Sequence, residues 1–232
     1  MDGGRGAGKR VSRSSFLLGD DGIYRCAELQ HFLWQSHGFG TRMANPPVDV
    51  TLRQIHSDQV WNAHPLADRQ CEGDALVTDD IGRHIGVRTA DCVPILLLDA
   101  GHRAVAAVHA GWRGTVSAIV ARAMEKMRSD FGSLAADIHA AFGPCIRECC
   151  YEVGPEVAAQ FTALFAEWPP ITGKRHIDLP EANRRSLVAA GVPASQIFDS
   201  GLCSACLAEH FFSYRREPQN PGRMVSTIRR LD

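Results

Sequence analysis

Two short and almost wholly apolar runs set the strongest limit on how this chain can fold. Val93 to Leu98 and Ala104 to Val108 carry no charged residue and show no alternation of apolar with polar side chains. Runs of this length are too short for core helices and suit strands that are covered on both faces. A sheet containing them needs material above and below it. The expected architecture is therefore central sheets flanked by helices, an α/β or α+β layering. Further strand candidates are Val48 to Leu52, Ala75 to Thr78, Ile138 to Phe142, Phe211 to Tyr214 and Met224 to Ile228, and the second apolar run extends to His109.

Thr115 to Phe131 repeats apolar residues at helical spacing, and Gly132 stands where a C-terminal cap is expected. A second helix is expected from Pro155 to Trp168, stopped by Pro169 and Pro170, and a third from Pro180 to Ala190, closed by Gly191. Arg25 to Gln35 is a fourth candidate. Repeats and long linkers are absent, so residues 14–232 read as one domain behind a flexible basic tail, residues 1–13, with Arg5, Lys9, Arg10 and Arg13.

Charge excludes some functions. Lys plus Arg (25) nearly equals Asp plus Glu (26), so no net field holds a polyanion, and nucleic acid is not an expected partner. No apolar stretch approaches the roughly 20 residues that cross a bilayer, and no apolar segment follows the basic tail to make an export signal. Eight cysteines without such a signal suit reduced thiols in the cytoplasm.

His109 ends the second apolar run, and the turn Ala110-Gly-Trp-Arg-Gly114 leads into the best helix. Free N–H groups at that helix start, near Thr115, together with Arg113 and the close approach that Gly111 and Gly114 permit, can hold an anion such as phosphate. The plain alternative is that Trp112 and Arg113 pack and cap a tight turn. Cys92 stands just ahead of the first apolar run, and a thiolate there needs a metal or a charged His beside it, the more so if Asp91 points the same way. His56 follows the strand candidate Val48 to Leu52. Two His and one Cys with an open fourth position form the pattern of a catalytic zinc site. Their gaps of 36 and 17 positions are not a local metal motif, so the residues alone leave packing roles open. Cys203-Ser-Ala-Cys206 and Cys149-Cys150 raise a structural four-cysteine zinc site as an alternative. Adjacent cysteines do not repeat the Cys-x-x-Cys spacing, and these thiols are expected to serve in packing, with a redox role for Cys203 and Cys206 the minor reading.

Taken in order, His37-Gly-Phe-Gly-Thr-Arg42, Gln54-Ile-His56, Gly73-Asp-Ala75, Thr89-Ala-Asp-Cys-Val-Pro94, His109-Ala-Gly-Trp-Arg-Gly114, Gly143-Pro-Cys-Ile146, Cys150-Tyr-Glu-Val-Gly154 and Phe212-Ser-Tyr-Arg-Arg216 span most of the chain. The set strongly resembles the YfiH family, once called multicopper polyphenol oxidases or laccase-domain proteins and now described as purine nucleoside phosphorylases. The resemblance implies that His56, Cys92 and His109 are catalytic and bind zinc, with copper the less favoured ion. It implies that Arg42 lies near the substrate, with Arg113 a second substrate-binding candidate. The fold it implies is α+β, with layered mixed β-sheets flanked by helices, related to the catalytic domain of cytotoxic necrotising factors. Its activities are phosphorolysis of adenosine, inosine, guanosine and methylthioadenosine, with adenosine deamination beside it, so a purine nucleoside and phosphate are the implied partners. Only 13 residues separate Arg42 from His56, where the family usually has a long stretch. That shortening bears on the reach of Arg42 and leaves the metal ligands untouched. Two other enzyme readings stand behind this one: a cysteine hydrolase acting on cell-wall precursor amides, with Cys92 as nucleophile and His109 or His56 as base, and, last, a copper polyphenol oxidase, which wants more clustered His than three ligands supply. A binding module that stores metal or nucleoside is the non-enzyme alternative.

Overall fold

The computed structural model describes residues 15–64, 66–101, 103–167, 173–219 and 221–232. The expected basic tail (1–13) and the helix stop at Trp168 to Pro170 lie outside these residues.

In chain order the elements are β1 (Phe16–Leu18), β2 (Tyr24–Cys26), α1 (Ala27–Gln30), β3 (Gln35–Phe39), β4 (Val60–Asn62), β5 (Ala75–Thr78), β6 (Ile85–Thr89), β7 (Val93–Asp99), β8 (Val105–Ala110), α2 (Trp112–Val116), α3 (Ile119–Phe131), β9 (Ile138–Phe142), β10 (Glu152–Val153), α4 (Pro155–Ala158), β11 (Arg175–His176), α5 (Leu179–Ala189), β12 (Ile197–Asp199) and β13 (Met224–Arg230). Six strands form a mixed sheet in the order β12-β9-β7-β8-β5-β4, and five form an antiparallel sheet in the order β1-β2-β3-β13-β6. The two apolar runs are the neighbours β7 and β8 within the larger sheet.

Period-2 geometry sends alternate side chains of β7 to opposite faces. Val93, Ile95 and Leu97 join one core with Ile119, Val120 and Met127 of α3 and Leu179 and Leu187 of α5. Leu96 and Leu98 join the other core, with Phe39, Ile85, Met224 and Ile228 of the five-stranded sheet. Helices cover one face of the six-stranded sheet and the second sheet covers the other, giving an α+β fold of mixed layers. Every residue of β7 is buried, and burying each large aliphatic side chain is worth about 1.5–3 kcal/mol.

Several local expectations need correction. Arg25 to Gln35 is not a helix. Tyr24 and Cys26 are buried in β2, and Gln35, His37 and Phe39 in β3, an alternation that fits the sheet and leaves α1 a single turn with Leu29 alone buried. Val48 to Leu52 makes only an isolated bridge from Val50 to Ile85, and Phe211 to Tyr214 is irregular chain leading into a turn rather than a strand. The helix expected from Thr115 begins earlier, at Trp112, and is broken at Ala118, whose left-handed backbone (φ 58°) separates α2 from α3. Gly132 does cap α3 with φ 75°. The helix from Pro155 is cut to one turn, followed by a 3₁₀ turn at Ala159–Phe161. α5 forms as expected, with Asp178 accepting a hydrogen bond from the Glu181 N–H at its start.

Candidate active site

The antiparallel register pairs Val93 with Ala110 and Pro94 with His109, so the start of β7 and the end of β8 lie side by side. Cys92 and His109 are thereby neighbours despite their separation in sequence. His56 comes from the loop before β4, and the His56 and His109 rings meet edge to face with centroids 4.9 Å apart. The candidate ligand atoms of His56, Cys92 and His109 all lie within 4.8 Å of one another. Gly111 leaves room beside them: a Cβ there would stand 3.0 Å from both Cys92 Sγ and His56 Cδ2, closer than ordinary van der Waals contact.

Asp74 organises this cluster, and sequence reasoning did not single it out as a site residue. Its carboxylate is fully buried. Oδ1 accepts hydrogen bonds from the His56 N–H (3.0 Å) and from His109 Nδ1 (2.8 Å). Oδ2 accepts from the N–H groups of Ile55 (3.3 Å) and Ser57 (2.6 Å) and from Ser57 Oγ (2.7 Å). The arrangement holds His56 in a left-handed backbone with φ 61°, a conformation that costs about 1–2 kcal/mol in an L-residue and persists only where surrounding bonds fix it. With Nδ1 bound to Asp74, His109 presents Nε2 to Cys92 and His56, the usual second-sphere support of a metal-binding imidazole. Burial raises the Asp74 carboxyl, yet the His109 and Ser57 bonds outweigh it and bring it down to about 2.

Asp91 supports Cys92 in a comparable way. Its backbone is left-handed too (φ 87°). Its carboxylate is turned to Ser204 Oγ (2.6 Å), Ser213 Oγ (3.0 Å) and the Arg215 N–H (2.7 Å). Burial pushes the Cys92 thiol up, but the charge and hydrogen bond of His109, with help from His56, bring it down to about 6. Burial pushes His109 down, and the Cys92 and Asp74 charges raise it to about 9. The pair is therefore poised as thiolate and imidazolium when no metal is bound, and a thiolate with two imidazoles is the donor set of a catalytic zinc site.

The cluster opens into a cavity of about 660 Å³. Among the described residues five arginines line it, Arg69, Arg88, Arg113, Arg215 and Arg223, against one carboxylate, Asp91, whose oxygens are already engaged. Trp112, Tyr151 and Tyr214 add aromatic surface. Arg88 was not foreseen, and its buried Nε has no hydrogen-bond partner among the described residues. Arg113 lines the cavity, with its guanidinium 4.4 Å from the Trp112 ring centre. Thr115 is not at the helix start. It is buried, and its Oγ1 accepts from Asn183 Nδ2. Arg42 is not brought to the cavity lining: its guanidinium donates to the Ala208 carbonyl (2.6 Å) and lies over the Phe212 ring.

Residues 36–231 match the family described as multi-copper polyphenol oxidoreductase laccase. The chain belongs to this family. An adenosine deaminase RL5 from an unknown prokaryotic organism is 45% identical over 78% of this chain and 74% of its own length. A purine nucleoside phosphorylase from Deinococcus radiodurans is 44% identical over 76% and 68% respectively. The solved structure of YlmD from Geobacillus stearothermophilus superposes with a TM-score of 0.81 at 27% identity, covering 95% of this laccase-family chain and all of its own. No helix among the described residues is long and apolar enough to cross a membrane.

Proposed function

We propose that this protein is a zinc-dependent purine nucleoside phosphorylase of the cytoplasm, with adenosine deamination as a second activity of the same site and residues 14–232 as one catalytic unit. The observation that carries this reading is the juxtaposition of the His56, Cys92 and His109 donors with an arginine-lined cavity of nucleoside size. Relatives named for both activities support it.

His56, Cys92 and His109 would hold the ion, and Asp74 would orient two of them. When bound, zinc supplies Lewis-acid polarisation next to the substrate. The chain's own residues do the rest. Arg88 and Arg113, which both line the cavity, hold phosphate. A phosphate oxygen forms the new bond to the ribose anomeric carbon as the bond to the purine nitrogen breaks, and the electron pair passes to the purine. Positioned donors must stabilise that charge. Burial pushes the Tyr151 phenol up, so it stays protonated and can donate there. Trp112 and Tyr214 offer faces for the purine.

Steady-state kinetics of Arg88→Ala test the phosphate assignment. A hydrogen bond to a charged group is worth about 1.5–3 kcal/mol, so the KM for phosphate should rise about tenfold to a hundredfold while the KM for inosine changes little. An unchanged phosphate KM contradicts the assignment.

One observation favours a second reading. The order Cys92, His109, Asp74 is also that of a nucleophile, its base and the group orienting the base. A cysteine hydrolase built this way keeps full activity after its metal is removed, whereas the phosphorylase does not. Copper oxidase chemistry is disfavoured by the donors. Among the described residues the two groups able to hold a metal contain only two imidazoles between them, too few for several coppers.

A further inference from the structure

A second thiol cluster stands outside the cavity. Cys149, Cys150, Cys203 and Cys206 bring their sulfurs within 4.8 Å of one another. Packing does not explain Cys149 and Cys206, which are exposed. The Sγ–Sγ separations are 3.7 Å for Cys149–Cys150, 3.6 Å for Cys149–Cys206 and 3.3 Å for Cys150–Cys206. These are too long for disulfide bonds, which need about 2.05 Å. They approach the edge of a tetrahedron of sulfurs around zinc, about 3.8 Å for a Zn–S bond near 2.3 Å. An iron–sulfur cluster spreads its cysteines more widely than this, so the spacing fits one ion.

The surroundings fit as well. An isolated bridge between Cys145 and Cys203 holds the two segments in register. Arg216 donates to the carbonyls of Ser204 and Ala205 inside the Cys-x-x-Cys loop, and Arg215 donates to the Cys150 carbonyl. Two guanidinium groups thus flank a cluster that would carry excess negative charge as four thiolates around a divalent ion.

We propose that Cys149, Cys150, Cys203 and Cys206 bind a single structural zinc ion, separate from the site at Cys92. Four sulfur ligands in a closed tetrahedron leave no open position, which is the structural rather than the catalytic pattern. Four thiols give up their protons as the ion binds. The ion ties the Cys149–Cys150 turn to the Cys203–Cys206 loop. From that loop Ser204 reaches Asp91, and beside the turn Tyr151 lines the cavity.

Elemental analysis of the purified full chain tests this. Cys149→Ser and Cys206→Ser should each lose about one zinc per chain relative to wild type, and Cys71→Ser should lose none. With cobalt in place of zinc, the strong visible absorption of a four-thiolate tetrahedral site should persist in Cys92→Ala and vanish in Cys206→Ser. Wild type supplies a reading that does not depend on folding of the variants. Cys149 and Cys206 should resist alkylation despite their exposure until a chelator removes the zinc. Unchanged zinc in both variants would overturn the proposal. So would alkylation of Cys149 and Cys206 with no zinc released, or a protein mass short of two hydrogens for each disulfide formed within the cluster.

Discussion

Cys92→Ala is expected to lose the active-site zinc and nucleoside turnover together. The thiolate is the one anionic donor of the three-ligand cluster, and two imidazoles alone bind the ion less tightly and lose its geometry. Turnover should fall at least about a thousandfold, the scale seen when a member of a unit that acts together is removed. The zinc count should fall by about one per chain at the same time, leaving the four-thiolate ion in place. Fold should survive, because Cys92 is only half-buried and its removal deletes a single sulfur atom. Full zinc with lost turnover would favour the nucleophile reading of Cys92, and retention of both would remove this thiol from the site.

Asp74→Ala should be the most damaging change at a residue that binds no metal. Five hydrogen bonds end on its carboxylate, three of them from consecutive backbone N–H groups at Ile55, His56 and Ser57. Removing it leaves those donors without their acceptor and frees His109 to turn. The expected cost is about 3–5 kcal/mol of stability, the range for breaking a buried charged pair, read as a lower denaturant midpoint. Zinc affinity should fall about 10- to 100-fold, as for other second-sphere partners of a metal-binding His, read by competition with a chelator. Asp74→Asn keeps the volume but sets an amide NH₂ against donors, so it should retain more stability than alanine and still lose affinity. A variant that binds zinc as wild type would show that Asp74 only packs.

These residues were legible in the sequence to different degrees, for physical reasons. β7 and β8 stand out because burial on both faces removes every polar residue from Ile95 to Leu98 and from Ala104 to Val108. Their pairing then brings Cys92 to His109, a consequence of register that spacing cannot reveal. β1 and β2 have three residues each, too few to show a period, and Ala27-Glu-Leu-Gln30 is composed of good helix formers, which blurred the start of the five-stranded sheet. Asp74 gave no signal of its own because its role arises only when the Ile55–Ser57 loop wraps around it. Arg88 was hidden within the strand β6, where a charged residue reads as the solvent side of an alternating pattern. The four thiols were dismissed on spacing, since Cys149-Cys150 is not a Cys-x-x-Cys pair. The fold supplies the second pair through the Cys145–Cys203 bridge, and only three dimensions show that.

Product analysis of inosine incubated with the zinc-loaded protein, with and without phosphate, decides between phosphorolysis and hydrolysis. Hypoxanthine and a ribose phosphate should form in equal amounts, only when phosphate is present, and neither should form after chelation of the zinc. Free ribose formed without phosphate, or conversion that survives complete removal of the metal, would contradict zinc-dependent phosphorolysis.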